Sequence, residues 1–223
     1  MAFAGDLCYD RNEVSVMSNP PRELTPGELY AAVTQNPENI SGMRFEADAL
    51  ERFNAATLDF VDCDFINVSF NACDIDRIYF MDCRFEKCDF SGFHFREGAI
   101  RKAMFAGCRL SGATFDHMSL RDVSFVDCPM EYAGFVNCKM QQVSMKRCRL
   151  DHGLMNACTQ KGLIVQDCDL TGIEIAATRL TGVDLSTCML EGLRSTIDTL
   201  NGATIGLHQA AVALKLCGVT IKV

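Results

Sequence analysis

No apolar run in this 223-residue chain approaches the roughly 20 residues that cross a bilayer, so no membrane-spanning helix and no membrane partner is expected. The opening "MAFAGDLCYDRNEV" lacks a basic n-region and a sustained apolar segment, which argues against a secretory signal and for a cytoplasmic location. No phosphate-cradling glycine motif occurs. Histidine is scarce: His94, His117, His152 and His208 are expected at the surface, none at metal-ligand spacing from a second ligand. Ser119, Ser124 and Ser144 do not sit on a strained nucleophile turn. These absences remove support for an enzyme, and no cofactor or metal is expected. A net charge of −8 disfavours direct contact with nucleic-acid phosphates and suits an acidic surface meeting a basic partner site.

What is plentiful is regular. In "CDFINVSFNACDIDRIYFMDCRFEKCDF", residues 63–90, Phe or Ile recurs at every fifth position, and Cys63, Cys73, Cys83 and Cys88 each stand two residues before such a centre. The beat runs from Phe45 to Ile205 without a slip: 33 centres, of which only Gln160 and Ser195 are not apolar. Twelve of the 15 phenylalanines are centres. The position two earlier is usually small or mid-sized, and the other three are mostly polar. Such a repeat must bury its two inward side chains by stacking on its neighbours, as a solenoid does.

The unit resembles that of the pentapeptide repeat family, roughly Ala-(Asp/Asn)-(Leu/Phe)-X-X. "CDFIN", "CDFSG", "GATFDHMSL" and "LTGVDLSTCML" carry it, and the resemblance spans residues 43–205. It implies an all-β solenoid: a right-handed quadrilateral β-helix with four pentapeptides per square coil. Thirty-three units then make about eight coils, and residues 20 apart stack. One core column would run Phe45, Phe65, Phe85, Phe105, Phe125, Met145, Val165, Leu185, Ile205, so the two halves of the rod should pack differently. Cys88, Cys108, Cys128, Cys148, Cys168 and Cys188 fall in one column. Parallel stacked thiols neither converge on zinc nor reach disulfide distance, so they are expected to be inert core filling.

Charge is zoned. Residues 41–90 carry 11 acids and 5 bases, residues 91–150 carry 5 and 9, and residues 151–205 carry 7 and 3. The candidate partner-binding surface is the first zone: Asp59, Asp62, Asp64, Asp74, Asp76, Asp82, Glu86 and Asp89. The basic middle, with Arg96, Arg101, Lys102, Arg109 and Arg121, argues against a uniform imitation of DNA. Ladder pairs such as Asp89 with Arg109 and Arg149 with Asp169 are expected.

Three regions follow: an extension and cap over 1–42, the repeats over 43–205, and a C-terminal cap over 206–223. "SNPPREL" reads as an extended linker or turn. "TPGELYAAVTQNP" predicts a short helix with a Thr25–Glu28 capping box, Pro26 in its first turn and a stop at Asn36-Pro37. Leu29 and Val33 would cover the first coil near Phe45 and Phe53. Residues 1–15 are open between an added strand and mobility.

At the other end a helix is expected over about 207–217, stopped by Gly218, then a strand "VTIKV". Gln209-Ala210, Leu214, Gly218, Val219 and Ile221 are similar to the tail of family members that act on bacterial type II topoisomerases. That resemblance implies end-to-end homodimerisation through Leu207, Ala211, Leu214, Val219 and Ile221, and a protein partner such as DNA gyrase or topoisomerase IV. It implies a DNA-mimicking rod that modulates the enzyme or protects it from quinolones or toxins. Protruding loops of the quinolone-resistance members have no counterpart in an unbroken register, 151–165 being the only place for one. The rival reading is an interaction scaffold or effector with an unrelated partner, favoured by the N-terminal 40 residues.

Overall fold

The structure is a computed structural model that describes residues 22–23 and 27–220. Its strands pair in parallel with a register of 20: Phe45 lies beside Phe65, Phe65 beside Phe85, Phe95 beside Phe115, and Leu120 beside Met140. The chain is therefore a four-sided parallel β-helix. The first face carries the column from Phe45 to Leu185, the second Leu50, Phe70 and Phe90, the third Ile75, Phe95 and Phe115, and the fourth Ile40, Phe60, Phe80, Ile100, Leu120 and Met140. Named strands end at Ala176, which gives about seven turns rather than eight. The remaining centres keep register through isolated bridges such as Glu174 with Arg194 and Asp184 with Thr204. Residues 151–165 stay in the ladder, with Leu154 beside Gly134 and Thr159 beside Lys139, and form no loop.

The corners explain why five residues suffice. At the position two after a centre, twenty non-glycine residues and nine glycines have positive φ, mostly 48° to 80°. On the second-to-third corner, backbone bonds from Phe93 to Phe90, Ala113 to Leu110 and Ala133 to Met130 close turns whose third residue is left-handed, as in a type II turn. β-Branched side chains clash in that conformation. At Thr57, Thr187 and Ile197, where such residues stand, the chain does not adopt it. Arg77, stacked beside Thr57, shares the alternative corner. Gly98, at φ 122°, lies one coil above, where the third-to-fourth corner changes type. A Cβ there would meet the Ile78 carbonyl oxygen.

Cap helix α1 spans Glu28–Gln35 and buries Leu29 and Val33 as expected, with Tyr30 edge-on to Phe53. Its N-terminus differs from expectation. Gly27 is the N-cap, with no side-chain cap of its own. Asp48 supplies the acceptors instead, taking the Gly27 and Leu29 N–H groups at 2.9 Å each. An acid at an inward position, where the repeat wants a small apolar residue, is thus explained. Thr25, Pro26 and residues 1–15 lie outside the described residues, as does most of "SNPPREL".

The C-terminal cap begins with a 3-10 turn, Leu207–Gln209, and continues as α2, Ala210–Leu216, with Gly218 left-handed after it. Gln209 is buried and donates through Nε2 to the Leu185 and Cys188 carbonyls. It thereby satisfies carbonyls at the rod's open end. Val212, Ala213 and Leu216 pack on the core.

Candidate functional site

Ten of the eleven register cysteines are buried, and Cys73 is half-buried. Cys88, Cys108, Cys128 and Cys148 each donate a weak S–H bond to the carbonyl 23 residues earlier, at 3.3–3.5 Å. Burial pushes the Cys83 and Cys188 thiols up, away from the reactive thiolate. The column is core filling alongside Phe65, Phe85, Phe105 and Phe125, all buried. Gln160 departs from the inward pattern: its Nε2 donates to the Arg179 and Thr181 carbonyls at the surface. All four histidines are exposed, and His152 stacks on Tyr132.

The acidic zone winds around the rod. Asp59 lies on the fourth face, Asp62 and Asp82 on the edge between fourth and first, Asp64 and Glu86 on the first. These five gather about one edge. Asp74 and Asp76 stand on the opposite third face, and Asp89 on the second. Several have internal cations: Asp74 with Arg96 at 2.7 Å, Asp82 with Lys102 at 3.7 Å, Glu86 with Lys87 at 3.7 Å and Asp89 with Arg109 at 3.5 Å. Asp64 sits between Arg44 and Arg84 on adjacent rungs. Burial nevertheless raises its carboxyl above the ordinary value, the two guanidinium charges opposing, and burial raises Asp59 likewise. Arg149 departs from the expected ladder pair: its ion pairs are with Glu131 at 2.6 Å and Asp151 at 3.9 Å, not Asp169.

Sequence reasoning placed the basic middle but missed its shape. On the fourth face Arg101, Arg121, Gln141 and Lys161 occupy successive rungs of one column, and Ser119, Lys139 and Thr159 the column beside it. Together they line a shallow open groove of about 500 Å³ over Leu120, Met140 and Gln160. The signal was available, because these cations lie 20 and 40 residues apart.

At the C-terminal end Leu207 is 93% exposed, and Leu214 and Val219 are 46% and 44% exposed. Ala211 is exposed with them, on the side of the cap away from the core. Ile221 lies outside the described residues. No described helix is long and apolar enough to cross a membrane.

Comparison with known proteins agrees with this geometry. The family described as "Pentapeptide repeat region" matches residues 78–155 and 99–175, and "Pentapeptide repeats (8 copies)" matches 59–96. A trypsin-treated form of QnrB1, a plasmid-mediated fluoroquinolone resistance protein, is 20% identical with a TM-score of 0.51, covering 84% of this chain and 93% of its own. HetL, a pentapeptide repeat protein involved in heterocyst differentiation regulation from the cyanobacterium Nostoc, is 14% identical with a TM-score of 0.30, covering 82% and 97%. At those identities the likeness concerns fold alone. No curated protein matches significantly. The matched repeats together span residues 59–175, just over half the chain, and the chain belongs to the pentapeptide repeat family.

Proposed function

We propose that this protein is a non-enzymatic binding rod that engages a type II DNA topoisomerase, gyrase or topoisomerase IV, by offering carboxylates where the enzyme expects DNA phosphates. The observation that carries the reading is the edge about which Asp59, Asp62, Asp64, Asp82 and Glu86 gather on a rigid ladder, with Asp62 and Asp82 on successive rungs. Rungs about 4.8 Å apart hold such charges in fixed succession, which a flexible acidic tail cannot do. Asp74, Asp76 and Asp89 face other directions and would contact a partner only if it wrapped the rod. The fold likeness to QnrB1 is compatible with this partner class and adds no residue-level support.

The exposed apolar cap of Leu207, Ala211, Leu214 and Val219 supports a homodimer joined end to end, which would place one copy of the acidic edge toward each far end of the joined rod. Light scattering checks this: a variant lacking residues 206–223 should halve in mass, and an unchanged dimer mass would contradict it. The decisive functional experiment is a gyrase supercoiling assay with purified protein, with and without ciprofloxacin. The proposal expects a concentration-dependent change in supercoiling or in drug sensitivity. No effect at micromolar protein would remove it. A scaffold with an unrelated partner is the second reading, and the basic groove on the fourth face favours it.

A further inference from the structure

The fourth face gathers cations that lack acid partners. Elsewhere many cations sit beside acids, as Arg96 with Asp74, Lys102 with Asp82, Arg109 with Asp89, Arg147 with Asp127 and Arg194 with Glu174, and those without an ion pair, such as Arg52 and Arg77, stand singly. Among the described residues Arg101, Arg121, Lys139 and Lys161 have no carboxylate within ion-pairing distance. The reason is in the sequence. The stretches that build these four rungs of the face, "GAIR", "MSLR", "CKMQ" and "CTQK", hold no acid. Arg101 and Arg121 are directly paired across adjacent rungs, an arrangement of like charges that costs stability. Arg121 is oriented by Nε and Nη2 bonds to Gln141 Oε1 at 3.0 and 2.7 Å. Small Ser119 and Thr159 leave the space between the long side chains open.

We propose that this groove is a docking site for a short acidic protein segment, running along the rungs from Arg101 to Lys161. Charge complementarity selects the occupant's sign, and the flanks select its length. Three rung steps span about 14 Å, the reach of four or five extended residues. On this face the cationic column ends with the groove: the flanking rungs, 78–81 and 178–181, add only Arg179, so a longer polyanion gains little further contact. That disfavours a nucleic-acid strand and favours a short cluster of Glu and Asp. Ser119, Gln141 and Thr159 supply neutral polar side chains for the segment's backbone. The site lies beyond the acidic edge proposed for the topoisomerase, so either can fail without the other.

Fluorescein-labelled hexaglutamate, followed by anisotropy at low ionic strength, is the probe, with single-stranded oligothymidylate as the second. The full chain should bind hexaglutamate more tightly than oligothymidylate. Arg121→Glu with Lys161→Glu should weaken that binding at least about tenfold, a 1.4 kcal/mol change by the affinity relation. Arg52→Glu with Lys215→Glu, equal in charge change but outside the groove, should leave binding unchanged. All four residues are exposed, so both double variants should stay folded, and matching circular dichroism melts verify it. No hexaglutamate binding by the unaltered chain, equal loss in both double variants, or tighter binding of oligothymidylate would each overturn the proposal.

Discussion

The two halves of the rod share a register and differ in what fills it. From Phe45 to Phe125 the first-face rings stack at 5.2, 4.8, 4.5 and 5.0 Å, with interplanar angles of 25° or less. Phe95, Phe115 and Phe135 stack at 4.4 and 4.7 Å on the third face. These spacings match the distance between neighbouring strands, so each phenyl ring fills its rung and also indexes the next. Beyond Phe135, Gln160 and Ser195 apart, the columns continue with Met, Val, Leu and Ile, which fill volume without that indexing. Accessibility follows: Phe105 is fully buried, whereas Val165 and Leu193 are 6% exposed. Strand regularity follows too. His94–Ala106 and Thr114–Val126 run 13 residues each around two corners, whereas past Ala176 only bridges remain. Stability in a solenoid is a sum over rungs and their interfaces, so opening should begin at the aliphatic end.

The largest test of this difference is a pair of core truncations. Phe105→Ala removes a ring held between Phe85 and Phe125 and should cost about 3–5 kcal/mol. Leu185→Ala, in the same column and also buried, should cost about 2–3 kcal/mol because a leucine takes less apolar volume out of the core than a stacked ring. Urea denaturation measures both, and equal costs would break the comparison. Next in size is Gly98→Ala. Its Cβ would overlap the Ile78 carbonyl oxygen, which is backbone and cannot rotate away, at a φ of 122° that Ala resists. A loss of about 2–3 kcal/mol is expected from such strain. Gly92→Ala, with φ 65° and nothing within 4 Å, should lose only about 1 kcal/mol. If the two glycine variants melt alike, the change of corner type at Gly98 has no energetic content.

Most of the fold was legible because one physical demand, two inward residues in every five, is repeated until chance is exhausted. The burial of Leu29 and Val33 and of the cysteine column followed from pattern alone. Two of the misses share a cause, dependence on a neighbour about 20 residues away in sequence. Asp48 caps α1 from the first coil, 21 residues beyond Gly27. Gly98 matters only because Ile78 lies beside it. Arg149 chose Glu131 and Asp151 over Asp169, since side-chain reach, not stacking order, decides surface ion pairs. Reading acids in sequence order collects residues that the winding chain distributes over four faces, which is why Asp62 and Asp82 share an edge while Asp74 and Asp76 do not join them.

The smallest predicted effect separates the halves by pH. In the first half burial raises the carboxyls of Asp59 and Asp64 above the ordinary 3.8, so the fold resists their charged form. Their charge therefore costs stability at pH 7, and that cost shrinks as pH falls below the raised values and is gone below the ordinary 3.8. In the second half Arg147 holds the Asp127 carboxyl low through bonds of 2.7 and 2.8 Å, and hydrogen bonding to Ser186 does the same for Asp184. Their contribution is complete above 3.8 and is lost only as pH falls below it, through the depressed values. Both lie near the surface, so solvent screening keeps the effect small. Asp59→Asn should raise the melting temperature at pH 7, with the gain shrinking as the native carboxyl protonates and gone below 3.8, where the unfolded chain is protonated too. Asp127→Asn should lower it at pH 7, with the deficit persisting to pH 4 and closing below. A gain from Asp127→Asn at pH 7 would mean that the Arg147 pair holds no part of the second half together, and the aliphatic end would then depend on its core alone.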